Sequence, residues 1–249
     1  MKKLGQNFLI NQTIVEKEVD YADICEDDIV LEIGAGRGIL TKALAGRAQK
    51  VIAVEIDSFL ANELVLMMPD NVVVINDDIL DVDLGSLACF NKIVSNLPFQ
   101  ISSPITFRLV EYPFKKAVLI YQKDFAQRMI AQVGSKNYCR LSVGVYYKTF
   151  CRILDDVSRT CFYPVPKVDS CIVELIPREK PPFDVVDEVF FFTLVKKLFM
   201  HRRKKIKNTL SSLYGLVNNV PFLSNRIEEL SPEQIGTLSN ILLKKYGLF

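Results

Sequence analysis

Residues 29–38 read Ile29-Val30-Leu31-Glu32-Ile33-Gly34-Ala35-Gly36-Arg37-Gly38, and this stretch decides the fold. Its first half is an apolar run that predicts a buried strand, and residues 39–45 after it have the pattern of a helix. The glycines between them permit a tight turn and a close approach of the backbone to a ligand. A purely structural turn is the common alternative for one or two glycines. A strand, a glycine turn and a helix in this order predict the ligand-binding edge of an α/β sheet.

Three further strand-like runs follow along the chain, at Val51–Glu55, Val72–Ile75 and Lys92–Ser95. The polar residues at their ends are Glu55, Asn76-Asp77-Asp78 and Asn96. Glu55 comes 21 residues after Gly34, the spacing at which nucleotide-binding folds place an acid on ribose hydroxyls; a solvated strand-end charge is the second interpretation. Because open α/β sheets bind ligands at the carboxyl ends of parallel strands, we expect these polar side chains to lie along one edge.

The tetrapeptide Asn96-Leu97-Pro98-Phe99 can hold an exocyclic amine for alkylation. The amine of adenine is a poor nucleophile, because its lone pair is delocalised into the ring until acceptors grip its two hydrogens. The side-chain oxygen of Asn96 and the backbone carbonyl of Leu97 would be those acceptors. Pro98 restrains Leu97 toward extended backbone, and Phe99 offers a ring on which a base can stack. The pattern indicates methyl transfer to the adenine amine; the alternative is a strand-ending turn with a core aromatic.

Length and composition are those of a soluble globular protein. The 249 residues suffice for an α/β domain with a small appendage, and a hydrophobic content of 49% can fill a sizeable core. Lys2 and Lys3 precede polar residues that interrupt any apolar segment, so the start resembles neither a signal peptide nor a membrane span. We therefore expect a cytoplasmic protein with no membrane association.

The chain has six cysteines and a single histidine, His201. The cysteines form no C-x-x-C pair, whereas zinc sites draw on closely spaced Cys and His. We therefore expect no metal site and interpret the cysteines as reduced packing residues.

The middle of the chain continues the alternation of strands and helices, with a strand predicted at Lys116–Gln122 and a helix at Tyr138–Lys148. Two β-like segments follow, Phe150–Val157 and Val168–Ile176, without a helical pattern between them. Parallel strands need a crossover connection, so these two should pair antiparallel. The proline-stiffened loop that joins them, Cys161–Pro166, should reach the edge that carries the polar side chains.

A domain boundary is predicted at Arg178–Pro182, where prolines bracket charged residues. Residues 1–178 would form the α/β domain, with 20 Lys and Arg against 22 Asp and Glu. Residues 179–249 would form a small helical domain, with 11 Lys and Arg against 7 Asp and Glu. The excess is concentrated in Phe199–Asn208, which contains five Lys and Arg and no acid. Such a run is often only a solvated helix face, but its single sign favours contact with phosphates.

Three more stretches complete an ordered set of motifs, at Gly5–Leu9, Arg140–Val143 and Pro166–Ser170. Together with Leu31–Gly36, Glu55, Asp78 and Asn96–Phe99, they resemble the rRNA adenine N6,N6-dimethyltransferase family over nearly the whole chain. Within that family they are most similar to the KsgA-type enzymes of small-subunit ribosome maturation. The relatives that methylate large-subunit rRNA and give macrolide resistance share the fold, but more often carry isoleucine where this chain has Leu97.

The resemblance implies a Rossmann-like S-adenosylmethionine-dependent methyltransferase fold, an α/β fold whose mostly parallel sheet has a reversed last strand, plus a small all-helical C-terminal domain. It implies transfer of methyl groups from S-adenosyl-L-methionine to N6 of two adjacent adenosines near the 3′ end of small-subunit rRNA. The partner would be that rRNA or a partly assembled small subunit, and the protein would act as a monomer.

The resemblance also assigns roles to residues. For the cofactor it implies Asn7, Leu9, Gly34, Gly36, Glu55, Asp78 and Asn96, with Asp77 as a rival of Asp78. For catalysis it implies Asn96, Leu97, Pro98 and Phe99. For the RNA it implies Phe99 and Phe162 as two walls around the target base, together with the basic residues Arg202, Arg203, Lys204 and Lys205 of a predicted helix. The alternative for Phe162 is a loop aromatic that fills a gap in the core. The family often has tyrosine at the position of Phe99. Phenylalanine keeps the stacking face but lacks the hydroxyl group, so a hydrogen bond from a tyrosine hydroxyl has no part in the mechanism here.

Two other classes of function compete with this hypothesis. A glycine turn with an acid about 20 residues later is also the fingerprint of nicotinamide-dependent dehydrogenases, but the third glycine here gives G-x-G-x-G rather than G-x-G-x-x-G. A non-enzymatic ribosome-assembly or transcription factor would keep the fold without the chemistry, and the intact motifs at the glycine turn and at Asn96 argue against it.

Overall fold

The computed structural model describes residues 6–87, 89–215 and 218–246. Its strands are β1 Phe8–Leu9, β2 Ile29–Ile33, β3 Lys50–Val54, β4 Val72–Ile75, β5 Lys92–Asn96, β6 Lys116–Gln122, β7 Thr149–Val157, β8 Phe162–Tyr163 and β9 Ser170–Pro177. Its α-helices are α1 Gln12–Ala22, α2 Ile39–Ala45, α3 Ser58–Met67, α4 Ser102–Leu109, α5 Lys123–Met129, α6 Arg140–Lys148, α7 Glu188–Met200, α8 Ile206–Tyr214 and α9 Pro232–Tyr246. Gly5, which opens one of the motifs, lies outside the described residues, as do Lys2 and Lys3.

Seven of these strands form one sheet in the order β4-β3-β2-β5-β6-β9-β7. The pairs from β4 to β6 are parallel, whereas β9 pairs antiparallel with both β6 and β7. The prediction of a mostly parallel sheet with a reversed last strand is therefore confirmed. The strand order reverses between β2 and β5, and open α/β sheets bind ligands in the crevice at such a point.

The Ser95 side chain links the two strands that border the crevice. β2 and β5 pair in register only at Val30–Leu31, so the carboxyl ends of the two strands diverge. There the Ser95 hydroxyl accepts from the Ile33 N–H at 3.3 Å and donates to the Ile33 carbonyl oxygen at 2.5 Å. The end of β2, which leads into the glycine turn, is thus kept beside Asn96, which ends β5.

Helix α1 covers the sheet and begins where Asn11 caps it, with Asn11 Oδ1 accepting from the Ile14 N–H at 3.2 Å. Its inner face buries Ile14, Val15, Val19 and Ala22 in the same core as strands β2, β5 and β6. Glu18 lies on this apolar face and is completely buried. A carboxyl group at such a position has consequences for the pH dependence of stability.

The chain divides into two compact units. One contains the described residues up to Ala126 together with Thr149–Pro177; the other contains Gln127–Lys148 and the described residues from Arg178 onward. The predicted single boundary near residue 178 therefore differs from the structure for residues 127–148. The reason is that α6 and the residues before it bury Tyr138, Val143 and Tyr147 in one core with α7 and α9. The Tyr138 hydroxyl also donates to the Leu230 carbonyl oxygen at 2.9 Å.

Candidate active site

The glycine turn between β2 and α2 lets two other segments come close. Gly34 and Gly36 have φ values of +74° and +57°, which glycine adopts without strain. A Cβ on Gly34 would lie 2.9 Å from Cγ of Pro98, and a Cβ on Gly36 would lie 3.1 Å from Cδ1 of Phe8. Both glycines are therefore required for the contact of the turn with the Asn96–Phe99 motif and with β1.

Glu55 follows β3 and lies against the glycine turn. Its side chain is buried, with Oε2 accepting from the Gly36 N–H at 2.8 Å and Oε1 accepting from the Asp57 N–H at 2.9 Å. A carboxylate offers about four acceptor positions, so two backbone bonds leave capacity for hydroxyl groups of a ligand. This geometry fits a contact between Glu55 and a ribose.

Asp77 and Asp78 follow β4 and face the same cavity as Glu55. Asp77 is exposed, and its Oδ1 accepts from the Asp78 N–H at 2.8 Å. Asp78 is half-buried, and its Oδ1 accepts from the Leu80 N–H at 2.9 Å. The deeper position of Asp78 makes it the better placed of the two for an amine donor inside the cavity.

Arg108 on α4 holds the loop that carries Asp78, a role that the sequence analysis missed. Its guanidinium donates to the carbonyl oxygens of Ile79 and Val82. Because α4 begins three residues after Phe99, this arginine connects the acidic loop to the helix that follows the Asn96 motif. An arginine in a helical pattern carries no signal of such a partner in the sequence.

Asn96 presents an acceptor without a partner. Its Oδ1 is buried and has no hydrogen-bond partner among the described residues, whereas its Nδ2 lies 3.5 Å from the Asn7 carbonyl oxygen. Leaving a buried acceptor unpaired is costly, so such an atom is a candidate for pairing with a ligand. The Leu97 side chain is buried, which leaves the backbone as the part of this residue that can meet a ligand.

The amino-terminal segment forms another wall of the cavity. Phe8 and Leu9 form β1, which pairs antiparallel with β8 so that Leu9 stands opposite Phe162. The Arg37 guanidinium lies 4.9 Å from the centre of the Phe8 ring. Phe8 lines the cavity and had no assigned role in the sequence analysis, although it belongs to the Gly5–Leu9 motif.

Phe162 does not stand where the sequence analysis expected a second wall for a base. Its side chain is 1% exposed and belongs to the core of the sheet unit. Its ring centre lies 6.3 Å from that of Phe99 at an interplanar angle of 67°, an edge-to-face contact. The pairing of β8 with β1 places the Phe162 ring in the core, where it supports Phe99 and presents no open face of its own.

These segments enclose a cavity of about 340 Å³. The cavity is lined by every predicted cofactor-binding and catalytic residue, namely Asn7, Leu9, Gly34, Gly36, Glu55, Asp78, Asn96, Leu97, Pro98 and Phe99. Neither Phe162 nor the four basic residues line it. Ile56 and Ile79 also line it. Each directly follows a predicted cofactor-binding residue, Glu55 and Asp78 respectively, and this adjacency was the available signal in the sequence.

Two buried carboxyl groups lie near the cavity. Burial raises the pKa of Glu32 to about 8, with a further contribution from the Glu55 carboxylate, and Glu32 lines the cavity. Burial, followed by the nearby Glu32 carboxyl group, holds the pKa of Glu18 well above its usual range. Both oxygens of Glu18 lack a hydrogen-bond partner within the described residues.

The four basic residues lie in a turn between α7 and α8, not on a helix as predicted. Arg203, Lys204 and Lys205 are exposed. The Arg202 guanidinium instead forms an ion pair with Glu228 and donates to the carbonyl oxygens of Lys136 at 2.8 Å and Ser135 at 3.0 Å. The structure thus gives Arg202 partners inside its own unit and leaves three cations facing solvent.

Residues 6–87, 89–215 and 218–246 contain neither a membrane span nor a metal cluster. None of the helices in these ranges is both long and apolar enough to cross a bilayer. Within the same ranges, no group of three or more His, Cys, Asp or Glu side chains is placed to hold a metal ion.

Comparison with protein families gives a match over almost the whole chain. The family described as ribosomal RNA adenine dimethylase matches residues 1–244. A probable ribosomal RNA small subunit methyltransferase A from Thermococcus onnurineus is 43% identical over 254 residues, covering 96% of this chain and 91% of the relative. A protein of the same name from Methanococcus vannielii is 44% identical, covering 97% of this chain and 96% of the relative.

Solved structures give the same result at the level of the fold. A dimethyladenosine transferase from Plasmodium falciparum superposes with a TM-score of 0.80 at 30% identity, covering 97% of this chain and 98% of the other. The 23S rRNA methyltransferase ErmE superposes with a TM-score of 0.65 at 26% identity, covering 94% and 98%. Both similarities extend through the helical unit as well as the sheet.

Proposed function

This chain belongs to the ribosomal RNA adenine dimethylase family, and on that premise we propose that it transfers methyl groups from S-adenosylmethionine to N6 of adenosines in small-subunit rRNA. The acceptors are two adjacent adenosines near the 3′ end, either in naked rRNA or in a partly assembled small subunit. The protein acts as a monomer in the cytoplasm, as its membership of this family leads us to expect.

The observation that carries the proposal is the unpaired Oδ1 of Asn96. An adenine amine placed beside it would donate one hydrogen to this oxygen and the other to the Leu97 carbonyl. Two acceptors held at fixed positions favour a pyramidal nitrogen, whose lone pair is then free to react. The effect is one of positioning and preorganised hydrogen bonding, and it needs no general base.

The residues around the glycine turn fit S-adenosylmethionine, which supplies an electrophilic methyl group on a sulfonium sulfur when it is bound. Gly34 and Gly36 line the cavity, and their lack of side chains lets Pro98 and Phe8 pack against the turn, so that its backbone faces the methionine part. Glu55 keeps free acceptor capacity for the ribose hydroxyls, and Asp78 would accept from the adenine amine of the cofactor. Asn7 and Leu9 close the cavity from the amino-terminal side.

The target base stacks on Phe99, which is half-buried at the cavity. An adenosine must leave its own stack to reach a cavity of this kind, and an aromatic face offsets part of that cost. Phe162 contributes by supporting the Phe99 ring from the core. In this proposal the base stacks on Phe99 alone, and Phe162 packs behind the Phe99 ring without contacting the base.

Contact with the rRNA backbone comes from the exposed turn between α7 and α8. Arg203, Lys204 and Lys205 carry three positive charges into solvent without an acidic residue beside them in the chain. Phosphate contacts of this kind supply affinity and make it dependent on salt. Arg202 acts as a positioning residue for the same turn, because its guanidinium is bonded to Glu228 and to two carbonyl groups.

One alternative substrate has support from a specific observation. The similarity to ErmE covers nearly the whole chain, so an adenosine of large-subunit rRNA is the second candidate. The higher TM-score with the dimethyladenosine transferase, and the small-subunit name of relatives at 43% and 44% identity, favour the small subunit.

The proposal is tested by methyl incorporation into small subunits purified from cells that lack the gene. The parent chain should introduce dimethyladenosine, and Asn96→Ala should reduce the rate by about 100-fold or more, as the loss of a preorganised transition-state contact does. Thermal unfolding should show that the variant is folded, and rates measured at saturating S-adenosylmethionine should separate the loss of the transition-state contact from any weaker binding of the cofactor. Normal incorporation by Asn96→Ala would overturn the mechanism. Mass spectrometry of rRNA from cells with and without the gene would overturn the substrate if dimethyladenosine persisted in both.

A further inference from the structure

The outward face of helix α3 exposes large apolar side chains. Leu66 is 85% exposed and Phe59 is 69% exposed, and Val65 and Met67 beside Leu66 are exposed as well. Phe59 and Leu66 are two helical turns apart, so they lie on the same side of the helix. The opposite side is buried, through Leu60, Ala61 and Leu64. Single exposed apolar residues are ordinary, but a group of them on one helix marks a contact surface.

The apolar group is confined to the outward side of α3. Strand β4 stands first in the strand order and pairs with β3, and its Val72 and Val74 pack with Leu64 on the buried side of the helix. We call Phe59, Val65, Leu66 and Met67 the α3 surface.

The segment that carries the α3 surface has charges of one sign only. Residues 58–76, from the start of α3 to the end of β4 and Asn76, contain two acidic residues and no Lys or Arg. Glu63 on α3 and Asp70 between α3 and β4 are exposed among the apolar side chains. A surface of this kind repels RNA phosphates and anionic lipid headgroups, and it attracts a cationic partner.

We propose that the α3 surface docks a cationic protein segment that also carries apolar side chains, as a basic amphipathic helix does. The apolar side chains of the partner would cover Phe59 and Leu66, and its Lys and Arg would pair with Glu63 and Asp70 at the rim. A second copy of this chain is a poor occupant through the same face, because a two-fold contact would set acid against acid.

The partner belongs to the acceptor complex, a step that rests on the proposed function. A small ribosomal subunit contains protein as well as RNA, so the chain would bind its substrate through two surfaces of opposite charge. The exposed turn Arg203–Lys205 would contact RNA, and the α3 surface would contact protein. Binding through the α3 surface should therefore require the subunit proteins, whereas binding through Arg203–Lys205 should require only the rRNA.

The binding test compares intact small subunits with protein-free small-subunit rRNA. The double variant Phe59→Ser/Leu66→Ser should bind intact subunits about tenfold more weakly or worse, as loss of interface anchors does, and should bind protein-free rRNA and S-adenosylmethionine like the parent. The matched control is Val189→Ser, which removes another side chain that is 78% exposed, on α7, and should change none of the three affinities. An unchanged affinity for subunits, or an equal loss with protein-free rRNA, would overturn the proposal.

A second measurement identifies the occupant directly. A photoreactive benzophenone amino acid in place of Leu66 should crosslink to a subunit protein, and mass spectrometry should place the crosslink in a segment of net positive charge. A crosslink to rRNA, to a second copy of this chain or to an acidic segment, or no crosslink, would overturn the proposal. Methyl incorporation by the parent chain into the same subunits tests the proposed function separately, so that failure of one is distinguishable from failure of the other.

Discussion

At the scale of single residues, the Phe99 ring packs edge-to-face on the buried Phe162 ring and also lines the cavity. Base–aromatic stacking is worth about 1–3 kcal/mol per base, so Phe99→Ala should lower kcat/KM for rRNA by about 5- to 150-fold. Phe99→Tyr keeps the aromatic face and should stay close to the parent. Initial rates of methyl incorporation over a range of subunit concentrations measure both. Equal rates for Phe99→Ala and the parent would remove Phe99 from the site that holds the base.

Glu18 is a second residue with an unusual position, a carboxyl group on the apolar face of α1. Its pKa is held well above the usual range by burial and by Glu32, so the folded protein keeps a proton there that the unfolded chain releases. The same holds for Glu32, whose pKa is about 8 in the folded protein. Stability from these protonated groups is fully present below the unfolded pKa and is lost as pH rises through the folded pKa.

The consequence is a testable pH dependence. Glu18→Gln keeps the size of the side chain without a charge, so it should raise the melting temperature more at pH 9 than at pH 5 and flatten the decline between them. The control is Glu16→Gln, which removes an exposed carboxylate from the same helix and should leave the decline unchanged. Thermal unfolding followed by circular dichroism at several pH values measures the effect. A parallel shift of the whole curve for Glu18→Gln would contradict a buried, protonated Glu18.

At the scale of secondary structure, the strands of the sheet could be predicted and the short pairings could not. Runs such as Ile29–Ile33 are apolar over several residues and carry their own signal. Strands β1 and β8 have two residues each, and their pairing joins Leu9 to Phe162 across the chain. Nothing local to Cys161–Pro166 indicates that partner, which is why the sequence could offer the burial of Phe162 only as an alternative to its role as a second wall for the base.

The turn between α7 and α8 shows tertiary contacts overriding local propensity. Arg and Lys are good helix formers, so Phe199–Asn208 favours an uninterrupted helix when it is considered alone. In the structure α7 ends at Met200, and the Arg202 side chain is bonded to Glu228, Ser135 and Lys136. These partners lie at least 26 positions away in the chain, so the sequence around the turn does not reveal them.

The two kinds of basic residue in this turn should respond differently to substitution. The triple variant Arg203→Gln/Lys204→Gln/Lys205→Gln should weaken binding to small-subunit rRNA. The slope of log affinity against log salt concentration should become less steep by up to about three, one for each lost phosphate contact. Its thermal stability should be unchanged. Arg202→Gln should lower thermal stability by about 1–3 kcal/mol, because Glu228 and two carbonyl groups lose a charged partner. Fluorescence anisotropy at several salt concentrations and thermal unfolding separate the two effects. Unchanged RNA affinity in the triple variant would leave the turn as a solvated loop.

At the scale of the whole molecule, charge and composition predicted two structural units but not that residues 127–148 belong to the second one. The change of pattern near Arg178 is visible in the sequence because prolines and charges cluster there. Residues 127–148 carry no such change, and their amphipathic helix α6 fits either unit by pattern alone. Only the packing of Val143 and Tyr147 with α7 and α9 assigns the segment to the helical unit.

That assignment predicts how truncated proteins behave. A fragment of residues 1–178 keeps α6 but loses the helices that cover Tyr138, Val143 and Tyr147, so it should aggregate and bind a hydrophobic dye. A second fragment, in which a Gly/Ser linker also replaces residues 127–148, removes that apolar surface while keeping every residue that lines the cavity. It should be monomeric and should bind S-adenosylmethionine with an affinity near that of the full chain. Size-exclusion chromatography and calorimetric titration distinguish the two. If the first fragment were soluble and unfolded cooperatively while the second did not fold, residues 127–148 would belong energetically to the sheet unit.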